Sequence, residues 1–247
     1  MKNKILFFNK SVNKSAKVTE NVIIIKKFIE PKICRRIVKF LNKFKKKHSE
    51  NELVSNGNWH YTVNSNKNFF YSFHFYNLKS LKNLDLIKVY KKIYNLYKRF
   101  NNTTITKNFE KEIVNPIIDS KKRIVPLVFY YPAHKSNFVW HKHPGSVQPF
   151  QVVVNLTEPG IDYLGGETLV LTKKKISKEI IKNKNNIISI TPENFSIGDL
   201  YSFPGNAWHM IKPTKSTINI GNNARISLLM PLALRKEKKK IKTIFYK

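Results

Sequence analysis

Apolar residues in the first half of the chain recur with two different periods. Residues 21–29 (NVIIIKKFI) form an apolar run of strand length and predict a β-strand. Residues 31–48 open with a proline, and their apolar positions then return at helical spacing while Lys and Arg fill the other face, which predicts an amphipathic helix. Residues 58–76 are aromatic and strand-like, and residues 84–100 predict a second amphipathic helix. A mixed α+β segment is therefore expected over residues 1–120.

The pattern changes near residue 122, where short apolar runs bounded by Pro, Gly or Asn begin to follow one another closely. These runs occupy residues 123–131, 138–141, 150–156, 168–172, 187–190, 199–203, 207–211 and 225–232. Strands at this spacing favour an antiparallel sandwich or barrel. Residues 173–186 interrupt the series as a Lys- and Asn-rich insertion, expected to be a surface loop or a short helix. Residues 236–247 form a basic tail, expected to be a solvated extension or an edge element. We predict a mainly β protein with flanking helices.

The net charge is strongly positive but has little diagnostic value. The 247 residues include 46 Lys and Arg against 15 Asp and Glu, a formal charge of +31. Such an excess suggests an anionic partner such as nucleic acid. Forty of the basic residues are Lys, however, and Asn reaches 28 residues, whereas nucleic-acid surfaces rely on Arg for bidentate contacts. A compositional bias explains the charge better, and a nucleic-acid partner is not favoured.

The cysteine content and the amino terminus bear on the cellular compartment. The single cysteine, Cys34, excludes an intramolecular disulfide framework and a multi-cysteine zinc site. The apolar run from Ile5 to Phe8 is too short for the core of a signal peptide, and no later run approaches the length of a membrane span. We expect a cytoplasmic protein with no membrane partner.

Three of the seven histidines have the spacing of a metal site. His141 and His143 are two residues apart, so on a strand their side chains share one face. His209 follows 68 positions after His141, near the end of another apolar run. Neutral imidazoles are common metal ligands, and a rigid sheet fixes their geometry. Exposed cross-strand histidines are the alternative interpretation of the same spacing.

Several short motifs in the second half have an order and spacing known from one enzyme family. They are Tyr130-Tyr131-Pro132, Trp140-His141-x-His143, Leu164-Gly165-Gly166-Glu167-Thr168, Gly198-Asp199 followed by His209, and Arg225-Ile226-Ser227. Over roughly residues 120–235 this series resembles the iron(II)/2-oxoglutarate-dependent oxygenases, and in particular their prolyl-4-hydroxylase-like branch. The resemblance implies a double-stranded β-helix (jelly-roll, cupin-like) core over residues 121–235. It also implies iron(II), 2-oxoglutarate as cosubstrate, and dioxygen.

The resemblance also implies roles for individual residues around the metal. His141 and His209 would be iron ligands, and Tyr130 or Tyr131 would line the cosubstrate pocket. In the family, a carboxylate ligand stands at the position that His143 occupies here.

Arg225 and Ser227 correspond to the family residues that hold the distal carboxylate of 2-oxoglutarate. Arg225 is one of only six arginines and lies within an apolar run, where an unpaired guanidinium is costly. A fork-shaped guanidinium suits a carboxylate better than an ammonium does. Ser227, two residues further on, would add a hydroxyl from the same strand face. Pairing of Arg225 with a protein Asp or Glu is the alternative.

The histidine at position 143 leaves three arrangements of the metal site open. In the first, His141, His143 and His209 all ligate, as in some cupin oxygenases. In the second, the motif is shifted to His143-Pro144-Gly145, and the small Gly145 leaves a coordination position for halide, which resembles the iron/2-oxoglutarate halogenases. In the third, the metal is not iron or the site is degenerate. A non-catalytic binding module, which keeps the jelly roll and has lost oxygen chemistry through the change at position 143, is a separate alternative.

A cupin-type three-histidine metal dioxygenase is the other family that uses this core. Gln148 replaces the Glu of the cupin motif, whereas the Arg225-x-Ser227 strand has no counterpart there. Gln151 and Asn155 alternate with apolar residues, so they would touch cosubstrate or substrate if their face points into the barrel.

We therefore expect an iron(II)/2-oxoglutarate-dependent oxygenase-like enzyme that hydroxylates a small molecule or a side chain. Residues 1–120 would pack on the core and shape the substrate pocket. The halogenase-type, cupin-type and non-catalytic variants, and a nucleic-acid-directed oxygenase, are the alternatives. The +31 charge alone suggests the last of these, since no recognisable nucleic-acid motif accompanies it.

Overall fold

A computed structural model describes most of the chain, and its helices and strands follow in order. The described residues are 5–9, 21–48, 53–56, 59–64, 69–97, 126–133, 136–143, 150–217, 223–231 and 244–246. The helices are α1 (Pro31–His48), α2 (Leu84–Tyr97) and α3 (Lys178–Lys182). The strands are β1 (Ile5–Asn9), β2 (Val22–Lys26), β3 (Leu53–Asn56), β4 (Trp59–Asn64), β5 (Phe70–Phe75), β6 (Leu127–Pro132), β7 (Phe138–Lys142), β8 (Phe150–Asn155), β9 (Leu164–Gly165), β10 (Thr168–Leu171), β11 (Ile187–Ile190), β12 (Leu200–Pro204), β13 (His209–Ile211), β14 (Thr214–Lys215), β15 (Ala224–Leu229) and β16 (Ile244–Phe245).

These strands form two main sheets whose connections alternate between them. The larger sheet has nine strands in the order β1-β2-β12-β8-β15-β6-β5-β4-β3, and the smaller has five in the order β11-β10-β13-β7-β16. A short pair, β14-β9, stands beside them. Along the chain, β7 lies in the small sheet, β8 in the large, β10 in the small, β12 in the large, β13 in the small and β15 in the large. This alternation is that of a jelly roll, so the predicted double-stranded β-helix is confirmed.

Alternate residues of the large sheet face two different apolar layers. On β2, Ile23 and Ile25 belong to the layer shared with α1 and α2, while Val22 and Ile24 face the layer between the two sheets. On β8, Val153 likewise faces the interior of the barrel. Strands covered on both faces have apolar residues at nearly every position, which is why these runs show no polar alternation.

The helices predicted from the sequence cover one face of the large sheet. The structure confirms α1 over residues 31–48, and its apolar stripe, including Ile37 and Leu41, is fully buried against the sheet. The second helix extends over Leu84–Tyr97. The polar insertion at 173–186 contains the short helix α3, whose first turn is capped by Ser177. In the described part of the chain, no helix combines the length and the apolar character needed to cross a membrane.

Candidate metal and cosubstrate site

Two of the candidate metal ligands lie opposite each other on neighbouring strands of the small sheet. His141 is in β7 and His209 begins β13, and the two residues are direct partners in this antiparallel pair. Directly opposed residues of an antiparallel pair project to the same face. Their ring centroids are 4.0 Å apart, and both side chains are buried.

His143 completes a cluster of three imidazoles. It follows the end of β7, and its backbone N–H donates a hydrogen bond of 3.1 Å to the carbonyl of Gly205. Its ring centroid lies 5.3 Å from that of His141 and 5.4 Å from that of His209. One ring nitrogen from each of the three histidines lies within 4.8 Å of the other two. The structure therefore brings together the three histidines predicted from the sequence.

Backbone hydrogen bonds fix the tautomer of two of these rings. Nδ1 of His141 lies 2.8 Å from the carbonyl oxygen of Val139, and Nδ1 of His209 lies 2.9 Å from that of Ala207. Because a carbonyl oxygen only accepts, each Nδ1 carries the proton and each Nε2 keeps its lone pair. This is the arrangement in which metal-ligating histidines are held.

Burial also keeps all three imidazoles neutral. Desolvation and then the neighbouring His143 lower the pKa of His141 to about 3, although its backbone hydrogen bond opposes the change. Desolvation lowers the pKa of His143 to about 4. The pKa of His209 lies well below its usual value because of burial and then the two neighbouring histidines. A neutral imidazole is the form that binds a metal ion.

Aromatic rings enclose the histidine cluster. The ring of Phe138 stacks on His141 with centroids 3.8 Å apart, and the ring of Phe203 lies 4.7 Å from that of His209. Among the described residues, the group that could hold a metal contains no carboxylate. A metal ion held here would therefore keep its full positive charge in apolar surroundings.

Arg225 is buried in the same barrel with hydroxyl and carbonyl partners rather than a carboxylate. Its guanidinium donates to the carbonyl of Gly166, to Oγ1 of Thr168 at 3.0 Å and to the hydroxyl of Tyr201 at 2.9 Å. Its Nε has no hydrogen-bond partner, and no described Asp or Glu forms an ion pair with it. The alternative in which a protein carboxylate neutralises Arg225 is therefore not seen in the described chain.

Two residues beside Arg225 were not assigned by the sequence reasoning. Tyr201 of β12 and Thr168 of β10 hydrogen-bond to each other at 2.8 Å as well as to Arg225. In the sequence, Thr168 stands out only as the last residue of the Leu164-Gly165-Gly166-Glu167-Thr168 motif. Tyr201 also stacks with Phe203, which in turn contacts His209, so a continuous row of rings joins the arginine to the histidines.

Of the two candidate tyrosines, the structure brings only Tyr131 to Arg225. Tyr131 is the direct strand partner of Arg225, and its ring centroid lies 5.7 Å from the guanidinium carbon. Tyr130 points to the opposite face of β6, where it packs against Phe73 beneath the helices. Because consecutive strand residues face opposite sides, only one of the two can line the barrel. Tyr131 is therefore the tyrosine that lies beside Arg225, whereas Tyr130 packs beneath the helices, and a contact with the cosubstrate stays a prediction.

The remaining polar candidates lie on the neighbouring strands β8 and β15 of the large sheet. Ser227 and Asn155 are direct strand partners and are fully buried. Within the described chain, the Ser227 hydroxyl and Asn155 Oδ1 have no hydrogen-bond partner, while Asn155 Nδ2 donates to the hydroxyl of Tyr163 at 3.4 Å. Gln151 is buried opposite Phe203. Gly145 lies outside the described residues.

Comparison with solved structures identifies the fold. The chain is similar to a Pseudomonas putida prolyl-4-hydroxylase (TM-score 0.55, 12% identity), with 86% of this chain and 92% of that one covered. The chain has the fold of the prolyl hydroxylases. It also resembles a Trichoplax adhaerens prolyl hydroxylase in complex with a hypoxia-inducible factor peptide (TM-score 0.52, 14% identity, 86% and 83% covered). A third neighbour is AviO1 from Streptomyces viridochromogenes (TM-score 0.53, 11% identity, 84% and 87% covered). No protein-family model and no curated protein matches the sequence.

The residues present fit the groups that this fold implies. Three neutral imidazoles, two of them with a fixed Nε2 lone pair, form a donor set for a divalent transition metal. Nε of Arg225 and the hydroxyl of Ser227 have no hydrogen-bond partner among the described residues, and both are donors that fit a carboxylate. The structure thus combines a donor set that fits a metal ion with a buried cation that fits a carboxylate.

Proposed function

We propose that the protein is an iron(II)/2-oxoglutarate-dependent oxygenase that hydroxylates a small molecule or a side chain. The observation that carries the proposal is one barrel containing both a cluster of three neutral histidines and a buried arginine that pairs with no carboxylate among the described residues. A structural metal site alone would not require a buried guanidinium, since such a group is costly without an anion.

The metal would be held by His141, His143 and His209. This three-histidine set would replace the two histidines and one carboxylate of the family. The two Nδ1 hydrogen bonds orient His141 and His209, and the stacked ring of Phe138 restricts rotation of His141. When bound, iron(II) and 2-oxoglutarate would supply the electrons that activate dioxygen. If the metal motif were shifted to His143-Pro144-Gly145, as in the halogenase-type arrangement, His141 would point away from the site. In the structure, His141 lies within the cluster.

Arg225 would bind the distal carboxylate of 2-oxoglutarate. Its guanidinium is held by Tyr201 and Thr168, so its direction is fixed before any ligand arrives. Ser227 lies two residues further along the same strand face, and its hydroxyl has no hydrogen-bond partner in the described part of the chain. Burial removes competing water and strengthens the charge–charge contact with the carboxylate.

The substrate class has support from the neighbours as well as from the fold. The Trichoplax adhaerens neighbour is a prolyl hydroxylase that was solved in complex with a peptide. A side-chain substrate is therefore the form of the proposal that we favour. A cupin-type dioxygenase, which has no need of 2-oxoglutarate, is the second candidate, and the third histidine is the observation that favours it.

Succinate production tests the proposal. Purified protein is supplied with iron(II), 2-oxoglutarate and air, and succinate is measured with and without a panel of peptides. We expect iron- and 2-oxoglutarate-dependent succinate that is lost in His209→Ala and strongly reduced in Arg225→Gln. Arg36→Gln, which removes an exposed arginine paired with Asp85, is the matched control and should behave as the parent. Oxygen consumption that needs the metal but not 2-oxoglutarate would instead establish the cupin-type chemistry.

A further inference from the structure

The row of residues that contains two of the histidines ends in an aromatic side chain from the carboxy terminus. Across the small sheet, Val170 pairs with His209, His209 pairs with His141, and His141 pairs with Phe245 of β16. Since directly opposed residues of antiparallel strands share a face, Phe245 projects to the side of the sheet that carries both histidines.

Phe245 is close to the histidine cluster but is itself exposed. Its ring centroid lies 6.0 Å from that of His141 and 6.2 Å from that of Phe138. His141 is 1% exposed, whereas Phe245 is 45% exposed. A large apolar ring left in water beside a buried polar cluster is a surface that a ligand can cover.

The neighbouring residue anchors this segment on the other face of the sheet. The Tyr246 backbone N–H donates a hydrogen bond of 2.9 Å to the carbonyl of Trp140, and the Tyr246 ring packs edge-on against Trp208 at 6.4 Å. The ammonium of Lys142 also lies over Trp208, at 4.8 Å, so this nearby positive charge is directed away from the histidines. Along the row Val170–His209–His141–Phe245, no residue carries a carboxylate or an ammonium group.

We propose that Phe245 is a specificity-determining residue, and that with Phe138 it forms an aromatic wall that accepts an uncharged aliphatic or aromatic group of the substrate. This inference rests on the proposed oxygenase function and names the chemical class of the group placed at the metal. The ring of Phe245 has no donor atom and cannot ligate, so its contribution is apolar contact with the substrate. Residues of the basic tail thus form one side of the substrate pocket.

Binding of small capped amino acids tests this assignment without turnover. Protein loaded with cobalt(II) and 2-oxoglutarate is titrated with N-acetyl amides of proline, leucine, phenylalanine, glutamate and lysine, and the visible cobalt absorption is followed. We expect the apolar amides to perturb the spectrum and the charged ones to leave it unchanged. Phe245→Ala should weaken binding of the apolar amides by at least about fivefold, because the substrate loses its apolar contact with the phenyl ring.

The controls separate the role of Phe245 from the function of the site. Phe245→Leu should retain part of the affinity, and Phe7→Ala, which removes another exposed phenylalanine on β1, should bind as the parent does. All variants should keep the parent cobalt affinity, which shows that the histidines are undisturbed.

Unchanged affinity of Phe245→Ala for the apolar amides would overturn the role of Phe245. Equal binding of charged amides, or binding of none of the apolar ones, would overturn the substrate class. A parent protein that binds no cobalt(II), or shows no 2-oxoglutarate effect, would remove the proposed function itself.

Discussion

His141 and His209 face each other as direct partners of one antiparallel strand pair, each with Nδ1 bonded to the carbonyl two residues before it. The same local contact, repeated on two strands, leaves both Nε2 atoms available. Register and tautomer are therefore set by the backbone, and the metal-binding geometry does not depend on flexible side-chain contacts. His143 follows the end of β7 and lies outside this pair.

Replacement of His143 by aspartate should preserve metal binding. A carboxylate also ligates divalent iron or zinc, and the family that the sequence resembles places its carboxylate ligand at the position of His143. We expect His143→Asp to bind one iron(II) or cobalt(II) per chain, whereas His143→Leu should weaken metal affinity by roughly tenfold or more. Isothermal titration calorimetry gives both values. Equal affinity in His143→Leu and the parent would show that His143 is not a ligand.

Replacement of Arg225 should act on 2-oxoglutarate and not on the metal. A charge-assisted contact with a carboxylate contributes about 2 kcal/mol, so Arg225→Gln should raise the 2-oxoglutarate dissociation constant roughly 30-fold. The 2-oxoglutarate dissociation constant of Arg225→Lys should lie between those of the parent and Arg225→Gln, because an ammonium keeps the charge but cannot make a forked contact. Affinity is measured by the change in cobalt absorption on titration with 2-oxoglutarate. A matching loss of cobalt affinity would mean that Arg225 supports the barrel rather than the cosubstrate.

The sequence predicts which residues belong to the site better than it predicts the side of the strand to which each side chain points. α1 was predicted because Pro31 and an amphipathic repeat are local signals, and the His-x-His pair has a short, defined spacing. Tyr130 and Tyr131 could not be told apart, since both faces of β6 are buried and apolar alternation gives no direction. Tyr201 and Phe245 reach the site through pairing of strands distant in sequence, which no local pattern reveals.

Two glycines with similar backbone angles should differ in how well they tolerate alanine. Gly198 (φ +79°) and Gly160 (φ +85°) are both left-handed, but a Cβ on Gly198 would lie 2.0 Å from the Ile29 carbonyl oxygen, while one on Gly160 meets nothing within 4 Å. Gly160→Ala should lower the free energy of unfolding by about 1–2 kcal/mol, because alanine is strained in the left-handed backbone conformation. Gly198→Ala should cost more than about 3 kcal/mol, because the turn that bonds to Ile29 must also move. Urea unfolding measures both, and equal costs would contradict the close approach.

The thiol of Cys34 should be unreactive in the folded protein. Burial raises its pKa from 9.0 to about 12, despite a backbone hydrogen bond that favours the thiolate. Since the thiolate is the reactive form, a thiol-specific disulfide reagent should modify Cys34 at pH 8 only after unfolding in urea. The sign of the pH effect follows from the same shift: above pH 9 the unfolded thiol ionises while the folded one does not, so stability should fall as pH rises toward 12. The stability of Cys34→Ala should not show this loss between pH 9 and pH 12. Rapid modification of the native protein at pH 8 would contradict the prediction, because it would show that the thiol is accessible and ionised.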